Sequence, residues 1–268
     1  MSVRCFYLSV FVSCGFAVFL FAFAASAAPL YSVDVLATLP HDRTSFTQGL
    51  LADGDDLVES SGHYGVSRVV RYSAGEKNNR IVNNLAKELF AEGIALHRGS
   101  LYLLTWRESM LLVLDRQSLK QREKRRYPDQ WRISEGWGLA SDGDRLILSD
   151  GTDRILFVDS DNPVRIRALR VRDENTPVTD INELEFVKGV LLANIWYRDK
   201  IAGIDPATGK VLFWLDLSPL RVQLGKGADV ANGIAWNAQK SKLYVTGKYW
   251  DKIFVIAPPP HIFPGEKR

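Results

Sequence analysis

Short apolar runs alternate with turn residues along the chain, and no helical periodicity follows residue 27. Valine, isoleucine and aromatic residues fill these runs, which favours β-strands. Five segments share one pattern, in which an apolar strand leads through a turn to a second strand. They read FTQGLLADGDDLVESSG, FAEGIALHRGSLYLLTW, GWGLASDGDRLILSDG, INELEFVKGVLLANIW and ANGIAWNAQKSKLYVTGK. A third strand such as RILFVD follows, and a weaker fourth such as VRIRALRV.

Aligned positions of these segments recur after 44, 45, 45 and 50 residues. Four short strands in a unit of this length are typical of a β-propeller blade. The fifth unit stops after its third strand, whereas residues 30–39 form a strand that belongs to no unit. We expect residues 30–39 to be the outer edge of the last blade, because closing the ring removes an exposed sheet edge. The sequence therefore predicts an all-β fold, a five-bladed β-propeller closed by its N-terminal strand.

Residues 1–27 are predicted to be a signal peptide, and residues 28–268 the propeller domain. Arg4 precedes a long apolar stretch, and the small residues ASAA at 25–28 suit cleavage after Ala27. We expect an exported protein, periplasmic or secreted, with no stable membrane association after cleavage. The apolar stretch is also long enough for an uncleaved anchor, which stays an alternative. Both cysteines, Cys5 and Cys14, lie in this segment, so the processed chain has no disulfide and no thiol nucleophile.

Composition excludes several classes of function. The net charge is +3 without a concentrated basic patch, so we expect no nucleic-acid partner. The four histidines have no partners at metal-ligand spacing, and no phosphate-binding, dinucleotide-binding or serine-hydrolase motif is present. We therefore expect no metal and no cofactor. The 46% hydrophobic content is enough for a sizeable core, and we expect a monomer.

Two positions of the repeat carry the candidate chemistry. The first lies at the start of the innermost strand and is occupied by Gln48, Glu92, Trp137, Asn182 and Asn232. The second follows the next strand and is occupied by Gly62, Trp106, Gly151, Trp196 and Lys248. Antiparallel hairpins place both positions at one rim of each blade, so we expect these two rings to meet at one mouth of the channel. The variety of residue types indicates a site, although tryptophan and asparagine could simply fill a narrow channel.

Glu92 is the strongest catalytic candidate of the two rings. A carboxylate among indoles costs free energy unless it is paired, and we expect its pKa to be raised. Lys248 could be no more than its counter-ion. Glu135 and Glu183 flank the aligned positions, and we expect both to point elsewhere.

Several long motifs resemble the plant-type glutaminyl cyclases (glutamine cyclotransferases), including their bacterial members. They include FTQGL, ESSGHYGVS, EGWGL, NELE, NIWYRDKI and NGIAW with LYVTGKYWDKIF, and the resemblance covers nearly all of the predicted propeller domain. It implies a five-bladed propeller that turns the N-terminal glutamine of peptides or proteins into pyroglutamate without a metal. It also implies functional residues at seven positions: Gln48, Glu92, Trp106, Trp137, Asn182, Trp196 and Lys248.

The implied roles are catalytic for Glu92 and Lys248. Glu92 would move a proton from the attacking amine to the leaving ammonia. Three tryptophans, Trp106, Trp137 and Trp196, would hold the substrate. Lys248, Gln48 and Asn182 would donate hydrogen bonds to the oxyanion or orient the substrate, and the sequence leaves open which does which. Two rival interpretations remain: a non-catalytic propeller scaffold and a metal-dependent, lactonase-type propeller hydrolase.

Overall fold

Five sheets, antiparallel except for one added edge strand, form a ring around a centre in the computed structural model, which describes residues 27–76 and 80–257. The innermost strand of each blade contacts the innermost strands of both neighbours, and the last blade closes on the first. The predicted five-bladed propeller is therefore confirmed. Within the described ranges, helical structure amounts to one α-helical turn, Ser218–Arg221, and one 3-10 turn, Asp129–Trp131.

The strand bounds follow the predicted units. From the channel outwards they are Thr47–Asp53, Asp56–Ser61, Arg68–Ser73 and Arg80–Asn84 in blade 1; Ala91–His97, Ser100–Thr105, Met110–Leu114 and Gln121–Arg126 in blade 2; Leu139–Ser141, Arg145–Ser149, Arg154–Asp159 and Ile166–Arg170 in blade 3; Ile181–Val187, Val190–Ile195, Lys200–Ile204 and Val211–Asp216 in blade 4; and Ala231–Asn237, Lys242–Gly247 and Lys252–Ile256 in blade 5. A two-stranded hairpin, Arg172–Asp173 with Thr176–Pro177, lies between blades 3 and 4.

The N-terminal segment closes the ring in two pieces. Val35–Pro40 pairs antiparallel with Lys252–Ile256 and supplies the predicted outer strand of blade 5. Leu30–Ser32 instead pairs in parallel with Val211–Asp216 and becomes a fifth strand of blade 4. The prediction of one continuous strand over residues 30–39 is therefore wrong for its first part. The outer strand of blade 4 offers unpaired backbone groups, and the entering chain satisfies them before it crosses to blade 5.

The core lies between neighbouring blades. The inner and middle strands are buried on both faces, while outer strands such as Arg80–Asn84 and Gln121–Arg126 are largely exposed. Leu51 and Val58 of blade 1 pack with Ile94 of blade 2 in one of five such clusters. Burial of each aliphatic side chain contributes about 1.5–3 kcal/mol to the stability of the folded chain. This packing between blades holds the inner strands at a fixed spacing around the channel.

No helix in the described part of the chain has the length and apolar character needed to cross a bilayer. The apolar N-terminal stretch, on which the signal-peptide and anchor alternatives both depend, lies outside the described residues.

Candidate active site

A β-bulge recurs at the mouth end of four inner strands. In blades 1, 2, 4 and 5 the inner strand carries one extra residue relative to its partner. The extra residue is the first-ring residue or the one directly after it. A bulge breaks the regular alternation and re-aims a side chain. The four residues concerned are Gln48, Glu92, Asn182 and Asn232, all of which are buried. In blade 3, Trp137 precedes the shorter inner strand and is half-buried.

Residues of the second ring follow the second strand of each blade, as predicted. Trp106, Trp196 and Lys248 come directly after strands that end at Thr105, Ile195 and Gly247. Two members of this ring are glycines because aromatic rings occupy the space of a side chain. A Cβ on Gly62 would overlap the Phe90 ring, and one on Gly151 would lie 2.7 Å from Trp137.

Glu92 is held by a chain of two amides. Asn232 Nδ2 donates to the Thr47 carbonyl at 2.9 Å and to Gln48 Oε1 at 3.2 Å. Because the oxygen of the Gln48 amide faces Asn232, its Nε2 faces Glu92 and donates to Oε1 at 2.8 Å. One carboxylate oxygen is thereby occupied, and Oε2 accepts no hydrogen bond from the described residues.

Burial moves the pKa of Glu92 and the pKa of Lys248 towards each other. Burial raises the pKa of Glu92 well above its usual value, and the positive charge of Lys248 only partly opposes this. Burial lowers the pKa of Lys248, against the attraction of Glu92. No salt bridge joins the two side chains in the described part of the chain. Lys248 therefore acts on Glu92 through its charge and is not a paired counter-ion.

Aromatic rings surround the Lys248 ammonium. Its Nζ lies 4.3 Å from the centre of the Phe46 ring and 6.0 Å from that of Trp196. Such contacts stabilise a cation without supplying a hydrogen-bond acceptor, so the ammonium protons stay available to a bound molecule.

Glu135 joins two of the three tryptophans, which corrects the expectation that it points away. Its Oε2 accepts the indole N–H of Trp106 at 2.8 Å and that of Trp137 at 3.0 Å. Its Oε1 accepts from Arg107 Nε at 2.9 Å, and the Arg107 guanidinium stacks 3.8 Å from the Trp106 ring centre. Although burial alone would raise the pKa of Glu135, these donors lower it, so the carboxylate is an ionised anchor for two indoles.

The third tryptophan completes this wall. The Trp196 ring meets the Trp137 ring edge-to-face, with centres 5.3 Å apart at 88°. The exposed ring of Tyr197 stacks on Trp196 at 4.3 Å. The mouth is therefore lined by indole rings whose orientations are fixed by contacts to one another and to Glu135.

The sequence did not predict several further aromatic residues at the mouth, among them Phe46, Phe90, His63 and Tyr249. Phe46 and Phe90 each stand two residues before a first-ring residue, in FTQ and FAE, and this repeated phenylalanine was the available signal. The hydrogen bond between His63 Nε2 and the Tyr249 hydroxyl, 2.7 Å long, ties blade 1 to blade 5 at the mouth and has no counterpart in the repeat.

Asn182 and Glu183 occupy the bulge of blade 4. The side-chain oxygen of Asn182 is buried and has no partner, although the residue itself is in its predicted ring. Glu183 accepts the backbone N–H of Leu50 at 3.3 Å and that of Ile234 at 2.9 Å. It therefore bridges blades 1 and 5 across the channel, and the expectation that Glu183 points away from the mouth agrees with these contacts. No three His, Cys, Asp or Glu side chains within residues 27–76 and 80–257 are grouped to hold a metal ion.

The family model for glutamine cyclotransferase matches residues 10–257. The chain belongs to the glutamine cyclotransferase family. A glutaminyl-peptide cyclotransferase of Arabidopsis thaliana is 37% identical over 229 residues, which cover 84% of this chain and 70% of that protein. The crystal structure of Myxococcus xanthus glutaminyl cyclase superposes with a TM-score of 0.77 at 32% identity, covering 85% of this chain and 97% of the other.

Propeller geometry also extends beyond the glutamine cyclotransferase family. A chain in the nidogen/laminin complex matches with a TM-score of 0.51 at 17% identity, over 76% of this chain and 73% of the other. That likeness concerns the fold alone.

Proposed function

We propose that this chain converts the N-terminal glutamine of peptides or proteins into pyroglutamate and releases ammonia. It would thus be a glutaminyl-peptide cyclotransferase, an acyltransferase that acts within one molecule. The observation that carries the proposal is the setting of Glu92, a buried carboxylate oriented by Gln48 within an indole-lined mouth.

The reaction needs positioning and one proton transfer. The α-amino nitrogen attacks the carbon of the side-chain amide, a new C–N bond closes the ring, and the old C–N bond breaks to release ammonia. Because both groups belong to one residue, holding the folded rotamer removes much of the barrier. The α-amine has an ordinary pKa of about 8, so its neutral form is accessible near neutral pH.

Glu92 moves the proton. The attacking nitrogen must lose a proton and the leaving nitrogen must gain one, since an amide ion is too poor a leaving group. Burial raises the pKa of Glu92, which makes its carboxylate a stronger base than an exposed one and suits it to take up a proton and pass it on. With Oε1 held by Gln48, Oε2 is the oxygen that faces the substrate nitrogens.

We assign the other polar roles from the contacts that these side chains make. Gln48 is a positioning residue, because its amide is engaged by Glu92 on one side and Asn232 on the other. Lys248 keeps free ammonium protons among aromatic rings and stabilises the oxyanion of the tetrahedral intermediate. The unpaired oxygen of Asn182 accepts a hydrogen bond from the substrate's amine or amide N–H.

The three tryptophans form the mould for the glutamine side chain. Glu135 fixes Trp106 and Trp137, and Trp196 closes against Trp137. Flat faces on several sides favour the folded rotamer over an extended one, which is the positioning that the reaction requires.

We also propose where the enzyme acts and in what form. Residues 1–27 direct export to the periplasm or the outside of the cell, and the processed enzyme acts as a monomer without metal, cofactor or membrane contact. The residues assigned to the reaction supply its acid, its base and the donor to its oxyanion, so the proposed mechanism has no step for a metal ion.

A peptide assay separates the rival functions. The chain lacking residues 1–27 is incubated with a glutamine-initiated dipeptide and an excess of chelator, and ammonia is measured beside the mass of the product. We expect ammonia and pyroglutamyl peptide at a rate that the chelator leaves unchanged. Binding without ammonia release would favour the scaffold, and activity that the chelator abolishes and a metal restores would favour metal-dependent chemistry.

A further inference from the structure

The first described residues of the chain meet a carboxylate between blades 3 and 4. The backbone nitrogen of Ala28 donates to Asp173 Oδ1 at 2.9 Å. The other oxygen of Asp173 accepts the indole N–H of Trp214 at 2.8 Å, and the Trp214 backbone N–H donates to the Pro29 carbonyl at 2.8 Å. Asp173 therefore holds the chain at the point where it enters the fold.

Among the described residues, Ala28 is also the first that packs against the core. Ala28 packs against a hydrophobic cluster of blades 3 and 4, whereas Ala27 is exposed. Two residues later Leu30–Ser32 adds a strand to blade 4. A cleft of about 270 Å³ adjoins this point, and Ala27, Asp173 and Arg198 are among its lining residues.

The sequence places small residues immediately before Ala28. Ala25 and Ala27 stand at the third and first positions before it, the pattern of a leader-peptidase site. Hydrolysis between Ala27 and Ala28 adds hydroxide to the Ala27 carbonyl carbon and a proton to the Ala28 nitrogen. That nitrogen gains a second proton at neutral pH, since an α-amine has a pKa near 8.

We propose that Asp173 is the binding site for the α-ammonium group of a chain cleaved between Ala27 and Ala28. This rests on the proposed export of the chain and not on its catalytic assignment. Cleavage converts a neutral N–H donor into a cationic one at the same place, and charge-assisted hydrogen bonds are the stronger class. The charged groups that line the cleft are Asp173, Glu174 and Arg198, with the carboxylate of Asp173 the one in contact. Processing thus strengthens the attachment of the closing segment.

Two chains that differ by one residue test the contact. Both are released from a removable fusion, one beginning at Ala28 and the other at Ala27, and each is also made as Asp173→Asn. We expect the Ala28 chain to melt roughly 2 to 4 °C higher than the Ala27 chain, the shift expected of one modest interaction in a domain of this size. The Asp173→Asn pair should melt within about 1 °C of each other. Equal melting of the unsubstituted pair, or a gap that survives Asp173→Asn, would overturn the proposal.

A second measurement needs no substitution. An amine-acylating reagent at neutral pH should label the α-amine of the Ala28 chain several-fold more slowly than that of the Ala27 chain, because Asp173 favours the unreactive ammonium. Equal labelling rates would contradict the contact. The processing site is tested separately by the N-terminal sequence of the exported full-length chain, which should begin at Ala28, and any other start would refute the assigned bond. Neither result depends on cyclase activity.

Discussion

Hydrogen bonds in the mouth make Glu135 a positioning residue for the indole wall. One carboxylate serves two indole N–H donors and Arg107. An amide at this position presents one oxygen and one NH₂ group, so at least one of the donors would face another donor.

We therefore expect Glu135→Gln to raise KM and to lower kcat/KM by about tenfold, with a smaller change in kcat, because loss of one hydrogen bond to a charged group costs about 1.5–3 kcal/mol. Steady-state kinetics on a glutaminyl dipeptide measure this effect. Glu123→Gln is the matched control, since Glu123 pairs with Arg125 on an exposed strand. An unchanged KM in Glu135→Gln would show that the indoles do not need this anchor.

Lys248 is proposed to set the pH range in which Glu92 works. Its charge lowers the pKa of Glu92 against the opposing effect of burial, so removing that charge lets this pKa rise. In Lys248→Met we expect kcat to fall about 10²-fold through loss of oxyanion stabilisation, and the acidic limb of the kcat/KM profile to move to higher pH. Lys240→Met, which removes a surface amine paired with Asp55, should leave the limb in place. If the acidic limb does not move in Lys248→Met, the charge of Lys248 does not affect the pKa of the group that controls this limb.

At the scale of the secondary-structure element, the recurring hairpin is the feature that the sequence predicts most directly. Strand alternation and repeat length are local properties, so the five blades were predicted correctly. The structure brings residues of both rings together, and their role as a site stays a prediction. Glu135 was misjudged because it lies ahead of the shortened inner strand Leu139–Ser141, where no periodicity constrains a side chain. The strand predicted over residues 30–39 was misjudged because its partner, the free edge of blade 4, is visible only in three dimensions.

The close contact between Gly151 and the Trp137 ring leads to a prediction for the hairpin of blade 3. Gly151 has φ +78° and no room for a Cβ, whereas Gly54 has φ +67° with open space around it. Alanine at either position should cost about 1 kcal/mol of stability through backbone strain. Only Gly151→Ala should also displace Trp137, so we expect its kcat/KM to fall about tenfold while Gly54→Ala keeps full activity. Equal activities of two folded variants would show that this contact is not required.

A buried ion pair lies at the seam where the propeller closes. His41 follows the closing strand Val35–Pro40, and its Nδ1 donates to the Trp250 carbonyl at 2.8 Å. Its Nε2 donates to Glu59 of blade 1 at 3.1 Å. Both ring nitrogens face acceptors, so the ring is an imidazolium. Burial alone would lower the pKa of His41, but the charge and hydrogen bonds of Glu59 and the Trp250 carbonyl raise it above 6.5.

This seam gives the stability of the molecule a definite pH dependence. A raised histidine pKa contributes stability that is complete below the unfolded pKa of about 6.5 and is lost as pH rises through the folded pKa. The pKa of Glu59 is lowered despite its burial, chiefly by the charge of His41, so its contribution is lost only in acid.

His41→Asn should therefore cost about 3 kcal/mol near pH 6 and progressively less as pH rises above 6.5. Denaturant unfolding from pH 5 to 9 measures the difference. His97→Asn is a control whose cost should depend on pH in the opposite direction. Burial lowers its pKa, so the cost of His97→Asn should shrink as pH falls. A cost of His41→Asn that is constant across the range would contradict the imidazolium assignment.

The most direct test of the proposed mechanism is the rate of ammonia release by Glu92→Gln. Glutamine keeps the size of the side chain and a hydrogen-bonding oxygen but cannot carry a proton between two nitrogens. With a glutaminyl dipeptide at saturation, and folding verified by thermal melting, we expect kcat to fall by about 10²–10⁴-fold while KM changes much less. A folded Glu92→Gln protein that retains more than about a tenth of the wild-type kcat would contradict the assignment of Glu92 as the proton shuttle.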